Sequence, residues 1–336
     1  MTSLLLLLKR NNLSHILAVF FASLILASPL NAQDFESILW TVDAGPEYTA
    51  IGGNYDTLYL QSHQIPKTDV KLPVPGRTIT NVKWHPEGNL LAISSQIHKV
   101  DGGVMILDIR TMHTYKLKSV ATTGARAIAW SPSGKLLAVG DNEGDLHIFD
   151  QSFALVKKVD TGLRSITSLS WHPDESVITM VSGRIGNYNL ETEQMQLWDS
   201  RKEEILLLSV AWYPSGDFFA LADYGDNYKN YPAQLQFHKP DGSLIKVMQG
   251  SKAEYRNIQW TADGEYLATV SDAFRIWNNA GELISTLPFE HLLWGLSFDE
   301  LNQQWVITDE VGQVHRVSSE GKQLLSTIRP LKNNAQ

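Results

Sequence analysis

The sequence predicts an all-β fold built from one repeated unit of about 40–45 residues. The clearest copy is residues 127–150, AIAWSPSGKLLAVGDNEGDLHIFD, in which short apolar strands are separated by turns. Pro132 and Gly134 lie in the first of these turns, where proline presets φ and glycine allows a positive φ. No helical period interrupts the unit. A repeat of this length with four short strands is typical of a β-propeller blade.

Each copy of the repeat carries an aromatic residue at the end of its first strand. These residues are Trp84, Trp130, Trp171, Trp212 and Trp260, with Phe298 in the most divergent copy. A functional interpretation is an aromatic cage or a cofactor platform. We favour packing between neighbouring blades, because recurrence at the repeat period is what a repeated core requires.

Six copies are visible, and residues 37–75 can supply a seventh with strands at 38–42, 48–51, 57–60 and 69–72. We therefore predict one domain, a seven-bladed β-propeller of four-stranded antiparallel blades. A closed ring leaves no long exposed sheet edge, so we expect the two ends of the chain to pair and close it. In the alternative arrangement, the first of these strands completes the last blade.

Several strand ends carry phrases typical of a known family. Residues 196–199 read QLWD, residues 275–278 read RIWN, and residues 147–150 read HIFD. The units resemble WD repeats, a family of β-propellers that mostly act as binding platforms, and the resemblance covers residues 37–328. The chain departs from the family pattern at two points. The Gly-His pair at the start of the repeat is absent, and Glu143 stands where the turn aspartate is expected. Both departures replace residues of the polar network that connects the strands in the family.

The amino terminus reads as an export signal. Lys9 and Arg10 precede an uncharged apolar run at residues 16–27, and residues 30–32 form a small-residue cleavage site before Gln33. We expect residues 1–32 to be a signal peptide, residues 33–331 the propeller, and residues 332–336 a disordered tail. An uncleaved anchor is the alternative, although the apolar run is short for a membrane span. The expected location is the bacterial periplasm, with secretion beyond it second.

Composition excludes several functional classes. The formal net charge is −8, and removal of a leader with two basic residues makes it −10, which disfavours nucleic acid and anionic membrane surfaces as partners. The chain has no cysteine, so disulfides, thiolate metal sites and a cysteine nucleophile are excluded. We expect no cofactor, no membrane insertion after leader removal, and a protein that is a monomer on its own.

The loops between second and third strands are the first candidate binding surface, because in a propeller they share one face. Tyrosine suits recognition, since it offers a large contact area, a hydrogen-bonding tip and a low entropy cost. The loops that we selected carry Tyr55, Tyr188, Tyr224, Tyr228 and Tyr231. The alternative is a set of solvated loops that fold over their own blades.

The connections into the first strands lie on the same face and carry basic residues. These are Arg77, Arg126, Arg164 and Arg256, with His291 and Trp294 in the matching region of the last blade. The arginines could form a ring at the channel mouth that binds a peptide or an anion, because a guanidinium matches a carboxylate. In the alternative, which we favour, each arginine pairs with a neighbouring acidic loop residue.

Enzyme motifs are missing: there is no Gly-x-Ser-x-Gly, His-Glu-x-x-His or Gly-x-x-x-x-Gly-Lys. Residues 141–145 do not have the spacing of a calcium loop, and we assign no metal ligand. His85 and His172 follow two of the aromatic residues in a turn, where other copies have different residues. The sequence therefore predicts a non-catalytic scaffold that binds a protein or peptide in the cell envelope. The alternative is a propeller enzyme, a hydrolase or lactonase, with its site at the channel mouth.

Overall fold

Seven antiparallel sheets of four strands each make up the fold. They are seen in a computed structural model that describes residues 38–64, 68–74, 78–96, 102–118, 120 and 124–331. The predicted signal peptide and tail lie outside the described residues. Among the described residues the helical structure is a single 3-10 turn at Asn227–Lys229, and none of it is long and apolar enough to span a bilayer.

Blades 1 to 4 follow the chain in order. Blade 1 comprises β1 (Thr41–Ala44), β2 (Tyr48–Gly52), β3 (Thr57–Ser62) and β4 (Val70–Pro73). Blade 2 comprises β5 (Thr78–Trp84), β6 (Leu90–Gln96), β7 (Gly103–Asp108) and β8 (His113–Lys116). Blade 3 comprises β9 (Ala125–Trp130), β10 (Leu136–Asp141), β11 (Asp145–Asp150) and β12 (Leu155–Asp160). Blade 4 comprises β13 (Ser168–Trp171), β14 (Val177–Val181), β15 (Ile185–Asn189) and β16 (Met195–Trp198).

Blades 5 to 7 complete the ring. Blade 5 comprises β17 (Leu207–Trp212), β18 (Phe219–Asp223), β19 (Leu235–His238) and β20 (Leu244–Met248). Blade 6 comprises β21 (Asn257–Trp260), β22 (Tyr266–Val270), β23 (Ala273–Asn278) and β24 (Leu283–Pro288). Blade 7 comprises β25 (Leu293–Asp299), β26 (Gln304–Asp309), β27 (Val314–Ser318) and β28 (Leu324–Ile328). The predicted fold class and blade count are confirmed.

The ring closes without exchange of strands between its ends, so the alternative in which the first strand completes the last blade is wrong. Each blade is built from four consecutive strands. The first strands of neighbouring blades contact one another in a closed circle, and β1 contacts β25. The closure uses hydrogen bonds instead: Leu39 N donates to Asp309 O (3.1 Å), and Thr308 Oγ1 donates to Leu39 O (2.7 Å). Leu39 is thus held against blade 7, two residues before β1 begins at Thr41.

The aromatic series packs between blades, as the repeat period indicates. All its members are buried except Trp84, which is half-buried. Three of its indoles also donate Nε1 to a first-strand carbonyl of the preceding blade: Trp84 to Asp43 (3.1 Å), Trp130 to Lys83 (3.1 Å) and Trp171 to Ala129 (3.0 Å). The series therefore sets the spacing of adjacent blades.

The two turn histidines also join blades. Nε2 of His85 donates to the carbonyl of Gly134 (3.0 Å), and Nε2 of His172 donates to the carbonyl of Gly216 (3.2 Å). Each glycine lies in the corresponding turn of the next blade with a positive, left-handed φ. A side chain at either position would clash with the imidazole ring. This packing gives His85 and His172 a structural role.

A buried aspartate, rather than Glu143, anchors the turn after the second strand. In blade 3, Asp141 Oδ1 accepts from the amides of Glu143 and Asp145 (2.9 Å each), and its Oδ2 lies 2.8 Å from His147 Nε2. In blade 7, Asp309 takes the same position: it accepts from two turn amides and lies 3.2 Å from His315 Nε2. In blades 3 and 7 this polar network is therefore present, and in blade 3 it lies two residues before the position that the sequence suggested.

Candidate functional site

One end of the ring gathers the loops between second and third strands together with the connections into the first strands. Backbone hydrogen bonds interlock the two sets. Asn142 N donates to Gly124 O (3.1 Å), Tyr224 N donates to Leu206 O (2.9 Å), and Glu310 N donates to Leu292 O (3.0 Å). We call this surface the loop face, and the opposite surface, which carries the turns between first and second strands, the turn face.

A ring of residues lies at the loop-face end of the first strands, one from each blade. Each lies four residues before the interface aromatic of its strand, or before Ala44, which has that position in blade 1. The members of this mouth ring are Trp40, Thr80, Arg126, Thr167, Leu208, Arg256 and Trp294. In four of the seven strands the register shifts at this residue. Such a β-bulge bends a strand and redirects its side chain.

The large members of the mouth ring contact one another. The rings of Trp40 and Trp294 lie 4.9 Å apart between centroids, with planes tilted by 44°. Arg256 places its guanidinium carbon 3.5 Å from the Trp294 ring centroid, and Arg126 reaches Trp40 at 5.6 Å. Thr80 lies between Trp40 and Arg126 in the ring order, and its small side chain leaves room for this contact. The result is two cation–π contacts joined by one aromatic pair, in the order Arg126, Trp40, Trp294, Arg256.

Burial shapes the electrostatics of the two arginines. It lowers the pKa of Arg126 to about 10. It also lowers the pKa of Arg256, against the opposing influence of Glu254, Tyr224 and Glu310. Arg256 forms an ion pair with Glu254. Both guanidinium groups are largely buried, and charge-assisted hydrogen bonds are strong where water is excluded.

The longest loop of the loop face carries an exposed tyrosine. Asp226 accepts from the amides of Tyr228 and Lys229 (3.1 Å each) and so caps the 3-10 turn. Asp223 anchors the base of the loop through the amides of Gly225 (3.0 Å) and Gln234 (2.8 Å). Tyr228 is 75% exposed at the tip. This loop is therefore ordered by its own hydrogen bonds and carries an exposed aromatic side chain.

The structure brings together some of the predicted binding residues. Arg126, Arg256 and Trp294 meet in the mouth ring, and Tyr224 lies close enough to influence Arg256. Arg164 and Tyr228 are exposed on the loop face outside that cluster. The half-buried predicted residues on this face are Tyr55, Tyr224, Tyr231 and His291. Arg77 lies outside the described residues.

Tyr188 does not belong to this surface. The polar, glycine-containing stretch 183–189 was expected to be a loop, but β15 begins at Ile185, and Tyr188 pairs with Ile178 of β14. Its side chain is only 2% exposed and packs in the core between blades 3 and 4. The backbone pairing of Ile185 and Tyr188 with β14 overrides the turn-like composition.

Sequence reasoning missed Trp40, which it placed inside a predicted strand at 38–42. A signal was present in the sequence: residues 39–42 read LWTV and residues 293–296 read LWGL, each with tryptophan four residues before the blade-interface position. Aligning the repeats on that position, rather than on the arginines alone, would have identified the mouth ring. It would also have separated Arg164, which lies three residues before Thr167, the ring position of blade 4.

One group of acid and imidazole side chains in the described residues is close enough to share an ion: Asp141, Asp145 and His147. Their placement is explained by hydrogen bonds and an ion pair. Asp141 accepts from His147 and from the turn amides, and Asp145 pairs with Lys158 (2.7 Å). Burial works to raise the pKa of Asp141, but these hydrogen bonds outweigh it and hold the pKa below its ordinary value. The cluster secures a turn of blade 3.

Comparison with known proteins agrees with this architecture. A family model described as the WD40 domain of anaphase-promoting complex subunit 4 matches residues 113–174. The chain is thus similar to WD-repeat proteins, and its fold is a seven-bladed β-propeller. It is similar to the Caenorhabditis elegans periodic tryptophan protein 2 homolog, with 23% identity over 273 residues, which covers 72% of this chain and 28% of the relative.

Two further relatives carry WD repeats in their names. Human WD repeat-containing protein 19 is 22% identical over 225 residues, which is 61% of this chain and 16% of that protein. The C. elegans WD repeat-containing protein dyf-2 is 26% identical over 109 residues, which is 31% of this chain and 8% of that protein. The aligned part is thus less than a third of each relative's length. What the chain shares with these relatives is similarity over the aligned part.

Proposed function

We propose that this WD-repeat propeller is a non-catalytic scaffold that binds a protein or peptide partner on its loop face. The single observation that carries the proposal is the pairing, on one face, of an exposed loop tyrosine with a mouth ring of tryptophans and arginines. Tryptophan, tyrosine and arginine are the residues enriched at binding hot spots, where a few side chains supply most of the affinity. On the opposite face, the turn histidines His85 and His172 form hydrogen bonds to the next blade.

The loop at residues 223–235 supports the proposal because its conformation is set before a partner arrives. The capping contacts of Asp226 and the anchoring contacts of Asp223 order the backbone that carries Tyr228. A preordered loop loses little conformational entropy on binding, and an exposed tyrosine brings a large contact area with few rotatable bonds.

The proposed location is the cell envelope, with the periplasm first and secretion second. Support comes from residues 1–32, whose basic start, apolar run and small-residue end are those of an export signal. We expect the chain recovered from the native host to begin at Gln33 and to be found in the soluble envelope fraction. N-terminal sequencing checks this. A full-length product in the membrane pellet would mean that residues 16–27 are an anchor.

Replacement of Tyr228 by alanine should weaken binding of a partner captured from envelope extract by about 2 kcal/mol or more, which is roughly thirtyfold. Isothermal titration with the purified partner measures it. Tyr115→Ala is the matched control, because Tyr115 is an exposed tyrosine on the outer strand β8, away from the loop face. Equal affinities for the wild type and for the Tyr228→Ala variant would remove this loop from the binding site.

A further inference from the structure

The mouth ring contains hydrogen-bond donors that no group in the described part of the chain satisfies. They are Nε1 of Trp40, Nε1 of Trp294 and Nε of Arg256, and all three atoms are buried. Trp294 as a whole is only 7% exposed. A buried donor without an acceptor costs about 1–3 kcal/mol. Three such donors in one contiguous cluster indicate a binding site for acceptor atoms.

The surrounding charges define which acceptor fits. The guanidinium of Arg256 lies against Trp294, and that of Arg126 lies against Trp40, so an anionic acceptor gains charge-assisted hydrogen bonds. Glu254 forms an ion pair with Arg256 through Nη2, so the unpartnered donor of this guanidinium is Nε. Glu310 also acts on Arg256 and accepts from Leu292 N (3.1 Å). These carboxylates would repel a doubly charged phosphate more strongly than a singly charged group.

We propose that the mouth ring is a subsite for a peptide carboxylate, which accepts from the indole N–H groups of Trp40 and Trp294 and from the Arg256 guanidinium. A carboxylate has two oxygens with about four lone-pair sites, enough for these donors. The carboxylate comes from the carboxyl terminus of a peptide or from an acidic side chain. This inference rests on the proposed function, because it names the chemical group that a loop-face partner inserts into the channel mouth.

The test is a titration of the 15N-labelled protein followed through its indole N–H signals. Trp40→Phe and Trp294→Phe variants assign the two signals of interest. The probes are N-acetylglycine for a terminal carboxylate, N-acetylglutamic acid α-amide for a side-chain carboxylate, N-acetylglycinamide as the neutral control, and inorganic phosphate as the dianion. We expect saturable shifts of both indole signals with one or both carboxylates. We also expect the neutral amide and phosphate to bind at least tenfold more weakly.

Variants separate a binding role from a structural one. Arg256→Gln and Trp294→Phe should each weaken carboxylate binding at least tenfold. Trp260→Phe should leave it unchanged, because Trp260 also has an unpartnered Nε1 but packs in the core between blades 5 and 6. If Trp294→Phe does not fold, Trp40→Phe and Arg256→Gln still decide the result.

Three outcomes would overturn the inference: no saturable shift with either carboxylate, equal shifts with the neutral amide, or tighter binding of phosphate. Failure here is distinguishable from failure of the proposed function. If a captured partner depends on Tyr228 while no carboxylate binds, the scaffold stands and the subsite is wrong. If carboxylates bind at the mouth ring while the partner ignores the loop face, the proposed function is wrong.

Discussion

Trp130→Ala should lower the free energy of unfolding by about 3–5 kcal/mol, the range for removing a large aromatic side chain from a core. Trp130 packs with Ile128, Leu137 and Phe149 in the core between blades 2 and 3. Its indole meets the His85 ring edge-on at 4.8 Å between centroids. The substitution therefore leaves a cavity at a blade interface and removes the hydrogen bond to Lys83 O. Urea unfolding measures the change.

Trp130→Phe is the matched control for that experiment. It keeps an aromatic ring at the interface but loses the Nε1 donor, so the expected cost is lower, about 1–2 kcal/mol. A loss below about 1 kcal/mol for Trp130→Ala would show that the aromatic series does not carry the blade interfaces.

Asp299→Ala should destabilise the ring closure by about 3–5 kcal/mol, because it leaves a largely buried guanidinium without its partner. Asp299 is only 1% exposed and lies 3.2 Å from Arg316 Nη1. Arg316 in turn donates from Nη2 to Gln61 Oε1 (2.8 Å) and so links blade 7 to blade 1. Because this closure has no shared strand, the polar bridge is one of the contacts that hold the two ends together.

A double variant and a pH series control the Asp299 experiment. Asp299→Leu with Arg316→Met should cost less than Asp299→Ala, since no buried charge is left unpaired.

Burial acts to raise the pKa of Asp299, but hydrogen bonds from Asn302 and Gln304 outweigh it, and the pKa lies below its ordinary value. This aspartate therefore contributes stability above the unfolded pKa, about 4, and that contribution is lost as pH falls through the folded value. The difference between the wild type and Asp299→Ala should shrink below about pH 4. A difference that stays constant into acid would contradict the linkage.

The fold was predictable from sequence because every blade repeats the same packing requirement. Trp130 and its relatives recur where one blade meets the next, and turns such as the one at Gly134 follow them. The contacts that close the ring were not predictable, because they are single long-range contacts. Leu39 pairs with Asp309 at the junction of blades 1 and 7, and nothing in the local sequence of either residue indicates this pairing.

The candidate site was predictable only in part, and the reason lies in the register of the first strands. Alternation along a strand gives the side of the sheet on which a residue lies, but a bulge breaks that count. Arg126 and Trp294 lie at such shifts. Their convergence with Trp40 therefore follows from three-dimensional register, which composition and spacing alone do not contain.

Hydrogen-exchange footprinting of the complex with a captured envelope partner tests the binding face most directly. We predict slower exchange in the loop at residues 223–235 and in the connections at 124–126, 162–164 and 254–256. Exchange should be unchanged in the turns at 131–134, 214–216 and 261–264. Protection confined to those turns, or to the outer strands of the blades, would contradict it.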